Sequence, residues 1–290
     1  GVASMRGMIL AGGAGTRLFP LSQVASKQLQ PVYDKPMIYY PLETLMSGGV
    51  RDICLISSPH DLPIFQRVLG NGHQWGIDLS YEVQPEPGGI AQAVIIGESF
   101  VKQEPFVLVL GDNIFYGQTG LKSLISNFGG GAAIWGYRVQ DPQRYGVIEI
   151  DSSGLVASIE EKPDNPKSDL AVPGLYVYDG TAVSRAKDLT PSDRGELEIT
   201  DLNLSFLDDG QLSAVELGRD VTWMDSGTHE SLLESSAFIA AIEREHGQKV
   251  ACLEEVAHKM GFVSRAEISE TIEKMPQSPY RTYCERSILG

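Results

Sequence analysis

Short apolar segments alternate with segments of helical spacing through the first part of the chain, and this alternation constrains the fold more than any other feature. Four apolar runs begin the pattern: GMIL (7–10), ICLIS (53–57), LSYEV (79–83) and FVLVL (106–110). The segments of helical spacing between them are 36–49, 61–70 and 90–100. Alternating strands and helices are typical of a parallel sheet that is covered on both faces. We therefore predict an α/β fold with a Rossmann-like, mostly parallel central sheet flanked by helices.

The remainder of the chain changes character twice. Strand-like runs continue as AAIWGY (132–137), GVIEI (146–150), LYVY (175–178) and AVEL (214–217). Those between about 130 and 180 predict antiparallel additions to the same sheet. Beyond Asp225, segments of helical spacing occupy 231–247, 252–261 and 266–275. With no linker or internal repeat, we predict a single domain over 5–290, with a helical C-terminal region from about residue 229. Residues 1–4, GVAS, precede Met5 and are interpreted as a remnant of the expression vector.

Composition and cysteine usage indicate the class of protein. The chain has 290 residues and is 42% hydrophobic, which is enough for a large buried core. Its cysteines, Cys54, Cys252 and Cys284, are odd in number and have no paired metal-type spacing. No apolar run approaches the roughly 18 residues that span a bilayer, and the N-terminus lacks the layout of a secretory signal. We expect a soluble cytoplasmic protein with reduced thiols and no zinc site.

The charge of the chain limits its partners. A net charge of −15 argues against general binding to nucleic acid or to an anionic membrane. Between residues 5 and 40, however, basic residues outnumber acidic ones, with Arg6, Arg17, Lys27 and Lys35 against Asp34. A small anionic ligand near the N-terminus would account for both observations, although four basic residues could also be ordinary surface charges.

The glycine-rich stretch LAGGAGTRLFP (10–20) follows the first predicted strand. A dinucleotide-binding fingerprint requires a glycine where Leu18 stands, and Asp34 lies in PVYDKP rather than at the end of a second strand. A P-loop requires a glycine five residues after its first, and Arg17 occupies that position when counted from Gly12. Neither of these phosphate-binding motifs is present.

The chemistry of this stretch nevertheless suits phosphate. Gly12, Gly13 and Gly15 leave backbone N–H groups accessible to phosphate oxygens. Thr16 adds a hydroxyl and Arg17 a guanidinium, which together fit a triphosphate. Taken alone, the stretch is equally consistent with a tight turn between a strand and a helix.

Further segments connect the chain to a known family. They are SKQLQPVYDKPMIYYPLETLMSGG (26–49), PEPGGIAQA (85–93), VLGDNIFYG (109–117), RYGVIE (144–149), EEKPDNPKS (160–168), GLYVYD (174–179), RGELEITD (194–201) and WMDSGTHESLLE (223–234). Together with the glycine-rich stretch, this ordered series resembles the sugar-nucleotidyltransferases from Met5 almost to the C-terminus. The resemblance is strongest to members that use dTTP and glucose 1-phosphate. It implies Mg²⁺-dependent transfer of a thymidylyl group to α-D-glucose 1-phosphate, giving dTDP-glucose and pyrophosphate, as the first step towards dTDP-rhamnose.

The resemblance also implies roles for individual residues. The catalytic groups would be Arg17, Lys27, Asp112 and Lys162, and the Mg²⁺ ligands Asp112 and Asp225. The nucleotide would contact Gly12, Gly13, Gly15, Thr16, Arg17, Lys27, Gln28, Gln84 and Gly89. The sugar phosphate would contact Asn113, Gly146, Glu161, Lys162, Val172, Tyr176 and Arg194. Carboxylate oxygens completed by phosphate oxygens suit Mg²⁺, although a single aspartate after a strand is more often a turn or helix cap.

Base recognition is assigned to the Gln84 amide and the Gly89 backbone. An amide offers both a donor and an acceptor, which fits the imide edge of thymine or uracil. These two bases differ by one methyl group, worth about 1 kcal/mol of burial, so the residues do not decide between them. Two positions depart from the family pattern: Gly88 stands where aspartate is common, and Gln30 replaces a usual leucine. The first makes base preference less certain, and the second affects packing.

Other functions stay open at this stage. The same reaction with UTP, or with another nucleotide or sugar 1-phosphate, is one alternative. A nucleotide-sugar sensor without turnover is a second, although such a protein would be expected to lose phosphate or metal residues. A glycosyltransferase is disfavoured because GDN (111–113) offers one carboxylate where a D-x-D motif has two. The resemblance further implies a homotetramer and feedback inhibition by a dTDP-sugar at a second site.

Overall fold

The computed structural model describes residues 5–13 and 15–290. Residues 1–4, interpreted above as a vector remnant, lie outside the described residues. The strands are β1 (Arg6–Ala11), β2 (Pro31–Val32), β3 (Lys35–Pro36), β4 (Asp52–Ser57), β5 (Asp78–Val83), β6 (Phe106–Leu110), β7 (Asn113–Tyr116), β8 (Ala132–Arg138), β9 (Gly146–Ile150), β10 (Val156–Glu161), β11 (Leu170–Ala171), β12 (Leu175–Tyr178), β13 (Leu212–Glu216) and β14 (Thr222–Asp225). The helices are α1 (Tyr39–Ser47), α2 (Leu62–Leu69), α3 (Ile90–Ile96), α4 (Glu98–Val101), α5 (Leu121–Ser126), α6 (Ala182–Lys187), α7 (Ile199–Asp208), α8 (His229–His246), α9 (Leu253–Lys259), α10 (Arg265–Glu273) and α11 (Pro279–Cys284).

One large sheet organises the molecule. Its strand order is β10-β9-β11-β8-β12-β6-β1-β4-β5, and β13 pairs with β8. Strands β6, β1, β4 and β5 are parallel, as the alternation of strands and helices predicts. Strand β12 is antiparallel to β6 and β8, and β9, β10 and β11 extend the antiparallel half. The predicted α/β fold, with its parallel strands and later antiparallel additions, is confirmed.

Alternation of side chains along the central strands builds two hydrophobic layers. Ile9 and Ala11 of β1 face the layer that contains α1 and α9, whereas Met8 and Leu10 face the layer that contains α3 and α7. Strand β6 divides its side chains in the same way. Because both faces are buried, these strands appear in the sequence as continuous apolar runs. The carboxyl ends of the parallel strands then meet at one edge of the sheet, where ligands bind in folds of this type.

The helical C-terminal region is joined to the N-terminal part by a buried group of charges. Lys35 is 1% exposed, forms an ion pair with Asp34, and has its Nζ 2.8 Å from Oε2 of Glu243 in α8. Lys249 completes the group, with its Nζ 2.5 Å from Asp34 and 3.3 Å from Glu243. Burial opposes ionisation of Asp34, but hydrogen bonds from Lys249 and Lys35 hold its pKa below the usual value. We call Asp34, Lys35, Glu243 and Lys249 the ion cluster.

Two features go beyond what the sequence pattern predicts. The short strands β7 and β14 form a separate two-stranded ribbon beside the sheet. Buried Gln30 donates from Nε2 to the carbonyl oxygens of Leu21 and Ala25, at 3.0 and 2.9 Å, and so braces the loop after the glycine-rich stretch. Over the part of the chain described, no helix is both long and apolar enough to cross a membrane.

Candidate active site

A cavity of about 190 Å³ opens beyond the carboxyl end of β6, between β9, β12, the β7–β14 ribbon and α7. Eight of the residues predicted for the site line it: Arg17, Asp112, Asn113, Gly146, Glu161, Val172, Tyr176 and Asp225. These residues come from widely separated parts of the sequence, and the fold brings them to one place. The cavity lies at the edge of the sheet where ligands bind in folds of this type.

The ribbon positions the two predicted metal ligands. Asp112 lies between β6 and β7, and Asp225 ends β14, paired in register with Asn113 of β7. The backbone N–H of Ser226 donates to the carbonyl oxygen of Asp112 at 3.3 Å, which closes the ribbon at this end. Burial and the nearby charge of Asp112 raise the pKa of Asp225, against the opposing charges of Lys27 and Arg17. A carboxylate whose charge is disfavoured by a second carboxylate fits a divalent cation of the Mg²⁺ type, which would relieve that repulsion.

Asp112 is held by two neighbours. Lys27 Nζ lies 3.2 Å from Oδ2 of Asp112, and Asn113 donates from Nδ2 to Oδ1 at 3.0 Å. Asn113 in turn accepts through its Oδ1 from the backbone N–H of Gly174 at 2.9 Å and from Trp223 Nε1 at 2.7 Å. The amide orientation of Asn113 is therefore set by two donors. Predicted as part of the sugar pocket, Asn113 also fixes the carboxylate of Asp112.

The glycine-rich stretch leaves its backbone open to the close approach of a ligand. Gly13 and Gly15 have φ values of +108° and +60°, in the left-handed region that other residues avoid, and the space beside their Cα atoms is open. A Cβ on Gly12 would lie 2.5 Å from Oε1 of Gln84, so the loop and this amide are in contact. A Cβ on Gly227 would lie 3.0 Å from Nη2 of Arg17 and 3.4 Å from Oδ1 of Asp225. The guanidinium of Arg17 therefore lies near the carboxylate of Asp225.

The other predicted nucleotide residues surround this loop without lining the cavity. Thr16 lies in a 3₁₀ turn, Thr16–Leu18, directly after Gly15. Gln28 is buried, donates from Nε2 to the carbonyl oxygen of Gly12 at 3.4 Å, and packs its Cγ over Gly111. Gln28 thus links the glycine-rich stretch to the end of β6. Gln84 follows β5 and donates from Nε2 to the carbonyl oxygen of Gly89 at 3.3 Å.

The two cations predicted for the sugar phosphate do not line the cavity. Arg194 is 58% exposed and forms a two-pronged pair with Glu198, with N–O distances of 2.6 and 2.8 Å. This hydrogen bonding to Glu198 raises the pKa of Arg194. Lys162 is exposed and has a φ of +44°, which is strained for a lysine and turns the chain directly after β10. Its neighbour Glu161 accepts a hydrogen bond from Thr200 and does line the cavity.

Several lining residues are absent from the predicted set. Arg144 brings a further guanidinium, which lies 2.8 Å from Asp141 and 5.3 Å from the ring centroid of Tyr145. The Tyr145 ring in turn lies 5.3 Å from that of Trp223, so aromatic side chains form one wall. Thr200 completes this group. All four lie in motifs already recognised, RYGVIE, RGELEITD and WMDSGTHESLLE, and that position is the signal by which they could have been found.

A second, larger cavity of about 810 Å³ lies on another part of the surface. It is bounded by α1, the segment that joins β7 to α5, and the residues after α8. Lys249 of the ion cluster lines it, and so does Glu43 of α1. Burial raises the pKa of Glu43 to about 7, against the opposing charge of Lys35.

The chain matches the nucleotidyl transferase family over residues 6–242. It is 51% identical over 284 residues to the glucose-1-phosphate thymidylyltransferase of Neisseria meningitidis serogroup A, which covers 97% of this chain and 99% of that protein. It is 49% identical over 282 residues to the protein of the same name from Mycobacterium tuberculosis H37Rv, which covers 96% of this chain and 97% of the relative.

Two solved structures are similar in fold to this chain. A Bacillus anthracis protein that was solved in complex with a sucrose superposes with a TM-score of 0.75 at 41% identity, covering 81% of this chain and 95% of its own. A UDP-glucose pyrophosphorylase in complex with UDP-glucose has a TM-score of 0.71 at 22% identity, covering 83% and 100%. The latter likeness concerns the fold alone.

Proposed function

Because the chain belongs to the nucleotidyl transferase family, we propose that it transfers a thymidylyl group from dTTP to α-D-glucose 1-phosphate, releasing pyrophosphate and forming dTDP-glucose. One observation carries the proposal above the others. Relatives with this activity in their names align over nearly the whole chain, and eight of the residues that the motifs predict line one cavity at the sheet edge.

The residues around the cavity suit transfer between two phosphates. Arg17 and Lys27 bring positive charge to the glycine-rich stretch, where the triphosphate would bind. A Mg²⁺ ion held by Asp112 and Asp225 would neutralise charge on the phosphate oxygens. An oxygen of the sugar phosphate attacks the α-phosphorus in line, and pyrophosphate leaves. Alignment and charge neutralisation supply most of the rate enhancement in such a reaction.

This chemistry needs no general base. The second pKa of a phosphate monoester is about 6, so the attacking oxygen is already largely ionised at neutral pH. The chain's own residues therefore bind, orient and neutralise. Glu161, held by Thr200, lines the cavity as an acceptor for sugar hydroxyls. To bind the sugar phosphate, Arg194 must break its ion pair with Glu198. Lys162, next to Glu161 in the sequence, would add a second positive charge for the same phosphate.

The reaction is tested by measuring pyrophosphate release with glucose 1-phosphate, Mg²⁺ and each of dTTP, UTP, ATP, CTP and GTP. Metal-dependent turnover that is fastest with dTTP is expected, with EDTA as the control. A preference for UTP would support the same mechanism with UTP, rather than dTTP, as the nucleotide substrate. Folded protein that binds dTDP-glucose but turns over no nucleotide would instead identify a nucleotide-sugar sensor.

Regulation and assembly extend the proposal. The cavity of about 810 Å³ is large enough for a nucleotide-sugar and has Lys122 and Lys249 in its lining, which supports feedback inhibition by a dTDP-sugar at a second site. Exposed apolar side chains, Phe19, Val24 and Leu233, support assembly into a homotetramer. Light scattering should then give four times the chain mass of 31.5 kDa. Three free buried thiols fit a cytoplasmic location, and supply of dTDP-rhamnose precursors is proposed from the resemblance alone.

A further inference from the structure

The amide of Gln84 is held in one orientation by two acceptors. Its Nε2 donates to the carbonyl oxygen of Gly89 at 3.3 Å and to Oε1 of Gln92 at 2.8 Å. A backbone carbonyl can only accept, so the nitrogen end of the Gln84 amide is the end that faces α3. Of the two contacts, the one with Gln92 is the shorter. Gln84 is only 4% exposed, which leaves little water to replace either bond.

The oxygen end of the same amide consequently points to the glycine-rich stretch. A Cβ placed on Gly12 would lie 2.5 Å from Oε1 of Gln84, so this oxygen lies against the loop that we propose to bind the nucleotide. An amide fixed in this way offers an acceptor to the base. Thymine and uracil present a donor, the N3–H, whereas cytosine presents a lone pair at N3.

Gly88 leaves the space that Gln92 uses. A Cβ on Gly88 would lie 2.3 Å from Oε1 and 2.4 Å from Nε2 of Gln92, so any larger residue would displace this carboxamide. The position of Gln92 therefore depends on the absence of a side chain at residue 88, just before α3. Gly88, Gln92 and Gln84 form a chain of contacts that ends at Oε1 of Gln84, beside Gly12.

We propose that Gln92 is a positioning residue that selects the base, because it holds Gln84 with its oxygen toward the nucleotide and so favours an N3–H donor over cytosine. The inference rests on the proposed function, since it assumes that the nucleotide binds at this loop. Gln92 does not touch the nucleotide itself. Its effect is on the ratio between nucleotides rather than on the chemical step.

Two variants of Gln92 test this assignment. Gln92→Glu keeps an acceptor for Nε2 of Gln84, and Gln92→Leu removes it at similar size. The exposed Gln66→Leu of α2 is the matched control. The readouts are kcat/KM with dTTP and with dCTP, the KM for glucose 1-phosphate, and the affinities for dTDP and dCDP by calorimetry.

We expect Gln92→Glu and Gln66→Leu to keep the dTTP-to-dCTP ratio within about threefold of the unmodified protein. In Gln92→Leu the ratio should fall about five- to tenfold, through the nucleotide KM, because the net contribution of one hydrogen bond corresponds to about that factor. The KM for glucose 1-phosphate should not change. A Gln92→Leu variant that loses activity equally with both nucleotides would overturn the inference and leave a packing role.

The binding measurements test this inference independently of whether the protein catalyses the proposed reaction. If the unmodified protein binds dTDP in preference to dCDP, and Gln92→Leu alone removes that preference, the inference stands even where turnover is absent. If turnover with dTTP is found but neither ratio changes in Gln92→Leu, the inference fails and the proposed function survives.

Discussion

The ion cluster gives the clearest test of how the C-terminal region is held to the rest of the molecule. In Lys35→Met, Asp34 and Glu243 each lose a partner that is 1% exposed. Lys249, 3.3 Å from Oε1 of Glu243, is then the remaining cation of the cluster. Removing one member of a buried ion pair costs about 3–5 kcal/mol, because the remaining charge stays in a poorly solvated place.

The expected change in melting temperature follows from the size of the chain. Unfolding entropy is about 2.1 cal/mol/K per residue, which for 290 residues amounts to about 0.6 kcal/mol/K. A loss of 3–5 kcal/mol should therefore lower the melting temperature by about 5–8 °C. Scanning calorimetry of the free protein at pH 7 measures this directly.

A double variant and a surface control complete the test. Lys35→Met combined with Glu243→Leu should recover a large part of the loss, because the uncompensated charge is removed. Lys274→Met breaks an exposed pair with Glu270 at 3.4 Å and should cost less than about 1 kcal/mol. The reasoning is refuted if Lys35→Met is as mild as Lys274→Met, or if the effects of the two cluster substitutions simply add.

Three further predictions concern individual side chains. Asp225→Asn should lower turnover at least a hundredfold, as measured by kinetics. Calorimetry should show the free variant equally or more stable at pH 7, because the raised pKa of Asp225 means that its charged form destabilises the fold above the ordinary pKa. The free energy of unfolding of Glu43→Gln, measured in urea, should equal that of the unmodified protein near pH 4 and exceed it by up to about 3 kcal/mol at pH 8. Burial raises the pKa of Glu43 from 4.5 to about 7, so the unmodified protein loses stability as pH rises through that window. Glu198→Gln should lower the KM for glucose 1-phosphate, because it weakens the pair that holds Arg194; an unchanged or higher KM would mean that Arg194 does not bind this substrate.

The strands that the sequence predicts best are those buried on both faces. FVLVL (106–110) and GMIL (7–10) are continuous apolar runs because each face of the sheet is covered by helices. The position of Asp112 follows directly, since it comes just after such a run. For the same reason the parallel half of the sheet could be predicted with its helices in order.

The ribbon of β7 and β14 could not be predicted in this way. Its strands, NIFY (113–116) and TWMD (222–225), are four residues each and carry no clear alternation. Their pairing joins residues more than a hundred positions apart, and local sequence carries no information about such a contact. Asp225 was assigned to the metal by resemblance, while its place opposite Asn113 comes from the structure. The bidentate ion pair between Glu198 and Arg194 likewise depends on side-chain geometry, which the motif RGELE does not reveal.

The β7–β14 ribbon makes the site sensitive to chain length in a way that substitutions alone would not reveal. Successive residues of a strand face opposite sides, so shifting β14 by one position would turn the Asp225 side chain away from Asp112 and bring Met224 opposite Asn113. The exposed residues of the turn before β14, at 218–220, should accept many changes of residue type, whereas Val221 is buried in the core. A single insertion or deletion there should abolish activity while the large sheet still folds. Among natural variants of this chain, we therefore expect residues 218–220 to vary in composition and the segment between β13 and β14 to keep its length.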